Sequence, residues 1–207
     1  MPGARGNLAP GTWHLIDIEV TMLILIAEDE SIIRLGLKSM LEGLGHQVVA
    51  ATNGREAIRM AEHQRPDLAI LDIRMPYTDG LQAARAMAAQ RPLPILLLTA
   101  HSEADLIDRA TDLPIHGYLV KPILPEELGA AITVAVKRFA ESQAMARRVA
   151  ELEADLAARK LIDRAKGRLM QTGLTEEDAY RAIQARARRE RQSLVAAARA
   201  ILGEVAI

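Results

Sequence analysis

Apolar residues along this chain follow two rhythms. Up to about residue 120 they form five short continuous runs: Met22–Ala27, Gln47–Ala51, Asp67–Leu71, Pro94–Thr99 and Ile115–Val120. Between them lie Ser31–Leu44, Gly54–His63, Gly80–Gln90 and Glu103–Ala110, where apolar residues recur at helical spacing. Gly45, Pro66, Pro76, Gly80, Pro92, Pro94 and Pro122 punctuate the joins. A run that is apolar at every position has no side to show to water. It therefore predicts a strand covered on both faces. Such strands alternating with helices predict a parallel, doubly wound α/β sheet.

The second rhythm begins after Pro125. No Gly or Pro occurs from Ala130 to Lys166, and small or apolar residues recur at Leu128, Ile132, Ala135, Phe139, Ser142, Ala146, Val149, Leu152 and Leu156. This three–four spacing predicts one long helix that leaves the sheet domain as a coiled-coil stalk, with a single helix packed along its own domain as the alternative. Three short helices follow. The first, from about Leu161 to Met170, is ended by Gly173. The second is opened by Thr175 as N-cap, with Asp178 placed to reach back to it, and runs to about Glu190. The third spans Ser193–Leu202. The predicted organisation is a disordered leader (1–21), a flavodoxin-like five-stranded α/β domain (22–140), a linker helix (141–158) and a small all-α domain (159–207).

Composition narrows the classes. The chain has 207 residues, half of them hydrophobic and only 2% aromatic, so its core is aliphatic. It has no cysteine, which excludes disulfides and thiolate metal sites and fits a reducing, cytoplasmic setting. No apolar run approaches the roughly 20 residues of a membrane span, so no membrane role is expected. Residues 1–21 lack the apolar centre of a signal peptide. The net charge of −1 conceals an asymmetry: residues 159–207 hold eleven Lys/Arg against six Asp/Glu, leaving fifteen basic and twenty-one acidic residues before them. A basic tail on an acidic body suits an anionic partner, although a solvated helix surface gives the same count.

The candidate chemistry sits at strand ends. Ligands of an open parallel sheet bind beyond the carboxyl ends of its strands. Glu28 and Asp29 follow the first strand, Asp72 ends the third, Thr99 the fourth and Lys121 the fifth. Taken singly, a strand-end Asp is a helix cap, a Thr is structural and a Lys-Pro pair is a loop. Together on one edge they make a site. Three converging carboxylates repel one another without a cation, and an all-oxygen set selects a hard ion such as Mg²⁺. Beside such a charge and a lysine, a carboxylate can act as a nucleophile and accept a phosphoryl group.

Residues 22 to about 140 resemble the receiver domain of two-component response regulators. The matching pieces are Ala27-Glu28-Asp29-Glu30, Leu71-Asp72-Ile73-Arg74-Met75-Pro76 with Asp79-Gly80, Leu98-Thr99-Ala100, and Tyr118-Leu119-Val120-Lys121-Pro122. The resemblance implies that Asp72 is the phosphoacceptor, served by a sensor histidine kinase. Glu28, Asp29, Asp72 and the backbone carbonyl of Arg74 would hold the Mg²⁺. Thr99 and Lys121 would contact the phosphoryl group, and Tyr118 would be the switch residue. Glu28 stands where many receivers carry Asp, which weakens the case for its direct ligation relative to that of Asp29. By this reading the domain is no independent enzyme and catalyses only its own phosphorylation and dephosphorylation.

The tail carries a second resemblance. Ala165-Lys166-Gly167-Arg168-Leu169-Met170, Gly173-Leu174-Thr175-Glu176-Glu177-Asp178-Ala179-Tyr180 and the stretch from Ala187 to Leu202 are similar to the ANTAR domain. That family implies RNA stem-loop binding, transcription antitermination and, with the stalk, a homodimer at least when phosphorylated. Lys166, Arg168, Arg186, Arg188, Arg189 and Arg191 are the candidate RNA contacts. Tyr180 and Met170 are expected in the core, and Gly167 at a close helix approach. A helix-turn-helix on DNA and a protein-docking tail remain open as alternative outputs.

Overall fold

The computed structural model describes residues 21–100 and 113–203. Most of the predicted leader and the predicted helix Glu103–Ala110 lie outside them. The described chain divides into two compact units between Ser142 and Gln143.

In the first unit the five apolar runs form β1 (Leu23–Ala27), β2 (Gln47–Ala51), β3 (Leu68–Asp72), β4 (Ile95–Thr99) and β5 (Gly117–Val120). All pair in parallel in the order β2-β1-β3-β4-β5. Between them run α1 (Ser31–Gly43), α2 (Gly54–Gln64) and α3 (Gly80–Gln90). Alternate strand residues feed two cores, as the two-residue period requires. Leu25, Ala27, Leu71, Ile95 and Leu97 meet α2 and α3 through Ala57, Ala61, Ala83, Ala84 and Met87. Ile24, Ile26, Ile70, Leu96 and Leu98 meet Leu37 and Leu41 of α1 and Leu128, Ile132 and Ala135 of the next helix. Small alanines on α2 and α3 let those helices lie close to the sheet.

The starts of β1, β3, β4 and β5 and the end of β3 differ from expectation by one or two residues, and two of the starts have a visible cause. Asp67 is not in β3; its Oδ2 accepts the Leu23 backbone N–H at 2.8 Å at the start of β1. The fifth strand begins at Gly117 because the buried His116 turns inward, its Nδ1 accepting the N–H of Ile95 at 3.1 Å. Burial, then the nearby Arg138, lowers the His116 pKa, which suits a neutral acceptor ring.

One helix, α4, runs from Pro125 to Met170. It is followed by α5 (Glu176–Arg189) and α6 (Leu194–Leu202). The second unit buries Ala165, Ile183, Ala187, Ala197 and Ala198, with Ile162 and Leu169 packed against them. The expected short helix Leu161–Met170 has no start of its own, because with no Gly or Pro between Gly129 and Gly167 the stalk helix runs on through it. The other two starts are as predicted, and Thr175 Oγ1 accepts the Asp178 N–H at 3.2 Å and bonds the Asp178 carboxylate at 2.7 Å. Ser193 caps α6 in the same way.

Candidate functional site

The strand ends bring Glu28, Asp29, Asp72, Thr99 and Lys121 to one edge of the sheet. Ligand oxygens of Glu28, Asp29 and Asp72 lie within 4.8 Å of one another. Glu28 is fully buried and Asp72 is 6% exposed, while Asp29 faces solvent. Between the buried pair sits Lys121, whose Nζ lies 2.7 Å from Glu28 Oε2 and 3.1 Å from Asp72 Oδ1. Burial pushes the Asp72 carboxyl up to about 6, the charge of Glu28 pushes the same way, and Lys121 only partly offsets them. For Lys121 burial favours the neutral amine, but its contacts with Glu28 and Asp72 win and raise its pKa. The Asp72 carboxylate is thus held in a partly dry place against one movable cation.

Thr99 is buried, and its hydroxyl donates to the Ala100 carbonyl at 3.0 Å. The Lys121 N–H donates to the Thr99 carbonyl at 2.9 Å, tying the two strand ends together. Tyr118 on β5 pairs in register with Leu97 and is 37% exposed. Arg74 lies two residues past Asp72, in the loop between β3 and α3.

Two supporting residues have no place among the sequence candidates. Arg34, in the first turn of α1, donates from Nη1 to the Glu28 carbonyl at 2.8 Å and the Asp29 carbonyl at 3.1 Å. It fixes the backbone of the acidic pair. Gly80 opens α3 directly against the end of β3, and a Cβ there would stand 2.1 Å from the Asp72 carbonyl oxygen. Asp79 caps that helix by accepting the Gln82 N–H at 2.7 Å. The Asp79-Gly80 pair was visible in the sequence, but its contact with Asp72 was not.

In the second unit the candidate cations separate into two groups. Lys166 is clamped by Asp163 at 2.9 Å and Glu176 at 2.8 Å, which hold its ammonium above the usual lysine range, Glu176 most strongly. Arg186 and Arg189 share Glu190 at 3.1 and 3.3 Å. Arg168, Arg188 and Arg191 make no ion pair among the described residues. Three expectations fail here. Tyr180 is 39% exposed and Met170 is 44% exposed, because helical spacing placed both on the flank of the buried stripe. A Cβ on Gly167 would meet nothing within 4 Å, so this glycine serves no close helix approach.

A doubly wound sheet bearing acidic, Asp, Thr and Lys strand ends defines a response regulator receiver, and residues 24–133 match the response regulator receiver domain family. Residues 150–202 match the ANTAR domain family. The transcriptional regulatory protein PdtaR of Mycobacterium tuberculosis is 44% identical over 189 residues, 90% of this chain and 92% of that protein. Among solved structures, the signal receiver domain of a modulated diguanylate cyclase from Desulfovibrio desulfuricans G20 superposes with TM-score 0.55. It is 34% identical and covers 58% of this chain and 97% of its own. The receiver domain of sensor histidine kinase PA1611 from Pseudomonas aeruginosa PAO1, solved with magnesium coordinated in its active-site cleft, gives TM-score 0.53. It is 30% identical and covers 57% of this chain and 99% of its own. The chain belongs to the response regulators that join a receiver to an ANTAR domain, in which phosphorylation governs an RNA-binding, antiterminating output.

Proposed function

We propose that Asp72 accepts a phosphoryl group from a sensor histidine kinase in the cytoplasm, and that the acyl phosphate drives two chains together through the stalk so that paired ANTAR domains grip RNA stem-loops. The observation that carries the first half is Lys121 held between Glu28 and Asp72. An Asp72 Oδ attacks phosphorus, the bond to the donor imidazole breaks, and its electron pair returns to that nitrogen, which takes up a proton. Lys121 swings from the carboxylates to the transferred phosphoryl oxygens, and the Thr99 hydroxyl exchanges its Ala100 carbonyl for the same group. Thr99 then vacates space for Tyr118, half-exposed on the edge strand, to turn inward.

The donor set suits Mg²⁺: three carboxylates and no nitrogen or sulfur. Asp29, Asp72, the Arg74 carbonyl and Glu28 would hold it, Glu28 with a weaker claim because its carboxylate already engages Lys121. Bound there, the ion neutralises the carboxylates and the incoming phosphoryl charge.

The stalk supports the second half. Met145, Val149, Leu152 and Leu156 of α4 are 47–67% exposed and stand at three–four spacing. With Val149 and Leu156 at a, and Met145 and Leu152 at d, position g holds Arg148 and Asp155, and position e holds Glu153 and Lys160. A parallel, in-register pair then sets Arg148 against Glu153 and Asp155 against Lys160 of the second copy. No single antiparallel register pairs both sets. A β-branched residue at a with Leu at d favours two strands.

The test is labelling with a small acyl phosphate donor and with a kinase phosphodonor, in the presence and absence of Mg²⁺. Wild-type protein should form a base-labile acyl phosphate, and Asp72→Asn should form none. Persistent labelling of that variant at wild-type level would sink the assignment. Sedimentation of the labelled protein should show the dimer.

A further inference from the structure

The C-terminal unit has one aromatic residue, Tyr180, in residues 143–207. Its exposure, against expectation, calls for a reason. Ala179, Ile183 and Ala187 are the buried residues of α5, and they set its rotation. Moving each by one position turns the helix about 100° and gives Tyr180, Gln184 and Arg188. These three form a continuous stripe beside the buried one, with neighbours about 6 Å apart. Gln184 is half-buried, and Tyr180 and Arg188 are exposed. The acidic residues preceding the stripe are already matched: Glu176 by Lys166 at 2.8 Å and Glu177 by Arg181 at 2.5 Å. Arg188 carries no ion pair among the described residues, unlike Arg186 and Arg189. The stripe therefore offers a planar ring, an amide with both donor and acceptor, and an uncommitted guanidinium, in that order along one line.

RNA loops present that sequence of needs: an unstacked base face, a base edge and a backbone phosphate. A stacked base needs a π face and tolerates any base identity, whereas the amide adds hydrogen-bond choice. We propose that Tyr180 is the stacking platform for one unpaired base of the bound RNA, with Gln184 on that base's edge and Arg188 on the adjoining phosphate. This rests on the RNA output of the family. It goes beyond it in naming the ring, rather than the basic motif around Lys166, as the contact that selects an unpaired nucleotide.

The probe is a hairpin RNA with a fixed stem and randomised loop, enriched on the full-length protein, with the stem alone and duplex DNA as controls. Tyr180→Phe should bind the enriched hairpin within about twofold of wild type. Tyr180→Ala and Tyr180→Leu should both weaken it by about tenfold or more. The salt dependence of Tyr180→Ala should be unchanged, because stacking displaces no counterions, whereas Arg188→Ala should lower the slope by about one. Circular dichroism should show native helix content in all variants. Wild-type affinity in Tyr180→Ala, or rescue by Tyr180→Leu, overturns the proposal and leaves the RNA output standing. A wild-type chain that binds no hairpin better than duplex DNA overturns both.

Discussion

Asp72 carries a thermodynamic signature that can be read without any phosphate. Its folded pKa of about 6 lies above the usual aspartate range, because burial and Glu28 disfavour its charge. The folded state therefore prefers the protonated acid, and stability falls as pH rises through that window. In chelator-treated protein, Asp72→Asn should raise stability at pH 7 by roughly 1–3 kcal/mol and change it little below pH 4. Thermal melts at the two pH values check the sign. Gly80 makes a second prediction at this scale. Gly80→Ala forces a methyl against the Asp72 carbonyl, which backbone must yield to accommodate. It should cost about 2 kcal/mol and slow phosphoryl uptake by about tenfold or more, measured by melting and by labelling rate. At this scale the sequence was informative about strand-end residues, since a parallel sheet puts them on one edge by rule. It was silent about Arg34 and about the contact Gly80 makes with Asp72, since both involve backbone carbonyls that no side-chain pattern encodes.

Elements were legible where their periodicity was unbroken. The five strands and α1 to α3 fall within one or two residues of expectation, because continuous apolar runs leave little choice. The strand starts moved where a polar side chain replaced a ladder bond, as Asp67 and His116 do. Tyr180 and Met170 were misplaced for a different reason. Spacing gives the phase of a helix, but the width of its buried stripe depends on how many partners cover it. In the small C-terminal unit those partners are few, and the fully buried ones are mostly alanine. The stalk is the element whose proposed partner is a second copy of the chain. Leu152→Asp should weaken dimerisation of the phosphorylated protein by about a hundredfold, since it sets a charge at the a/d seam. Arg148→Glu should weaken it less, and adding Glu153→Arg should restore it if the helices are parallel and in register. Sedimentation equilibrium reads each case, and a double variant no better than the single one would exclude that register.

For the whole molecule, no helix among the described residues is long and apolar enough to cross a membrane. The two units differ in how they hold charge. The receiver concentrates unmatched acid at one edge, where Lys121 provides the cationic counterweight. The C-terminal unit pairs several of its cations internally, so its net charge overstates the number available to an RNA. The two also share a helix. Leu128, Ile132 and Ala135 near one end of α4 belong to the receiver core, and Ile162, Ala165 and Leu169 near the other to the C-terminal core. Residues 143–157 between them belong to neither. An isolated helix of about 12–15 residues is marginal in water, so residues 143–157 are secured in a lone chain mainly by continuity with their ends. Their amide protons should exchange with deuterium within seconds in a lone chain and become protected as one block when two chains pair. The middle of α4 would then report the state of the switch through its own hydrogen bonds, in a stretch that holds none of the candidate phosphate or RNA residues.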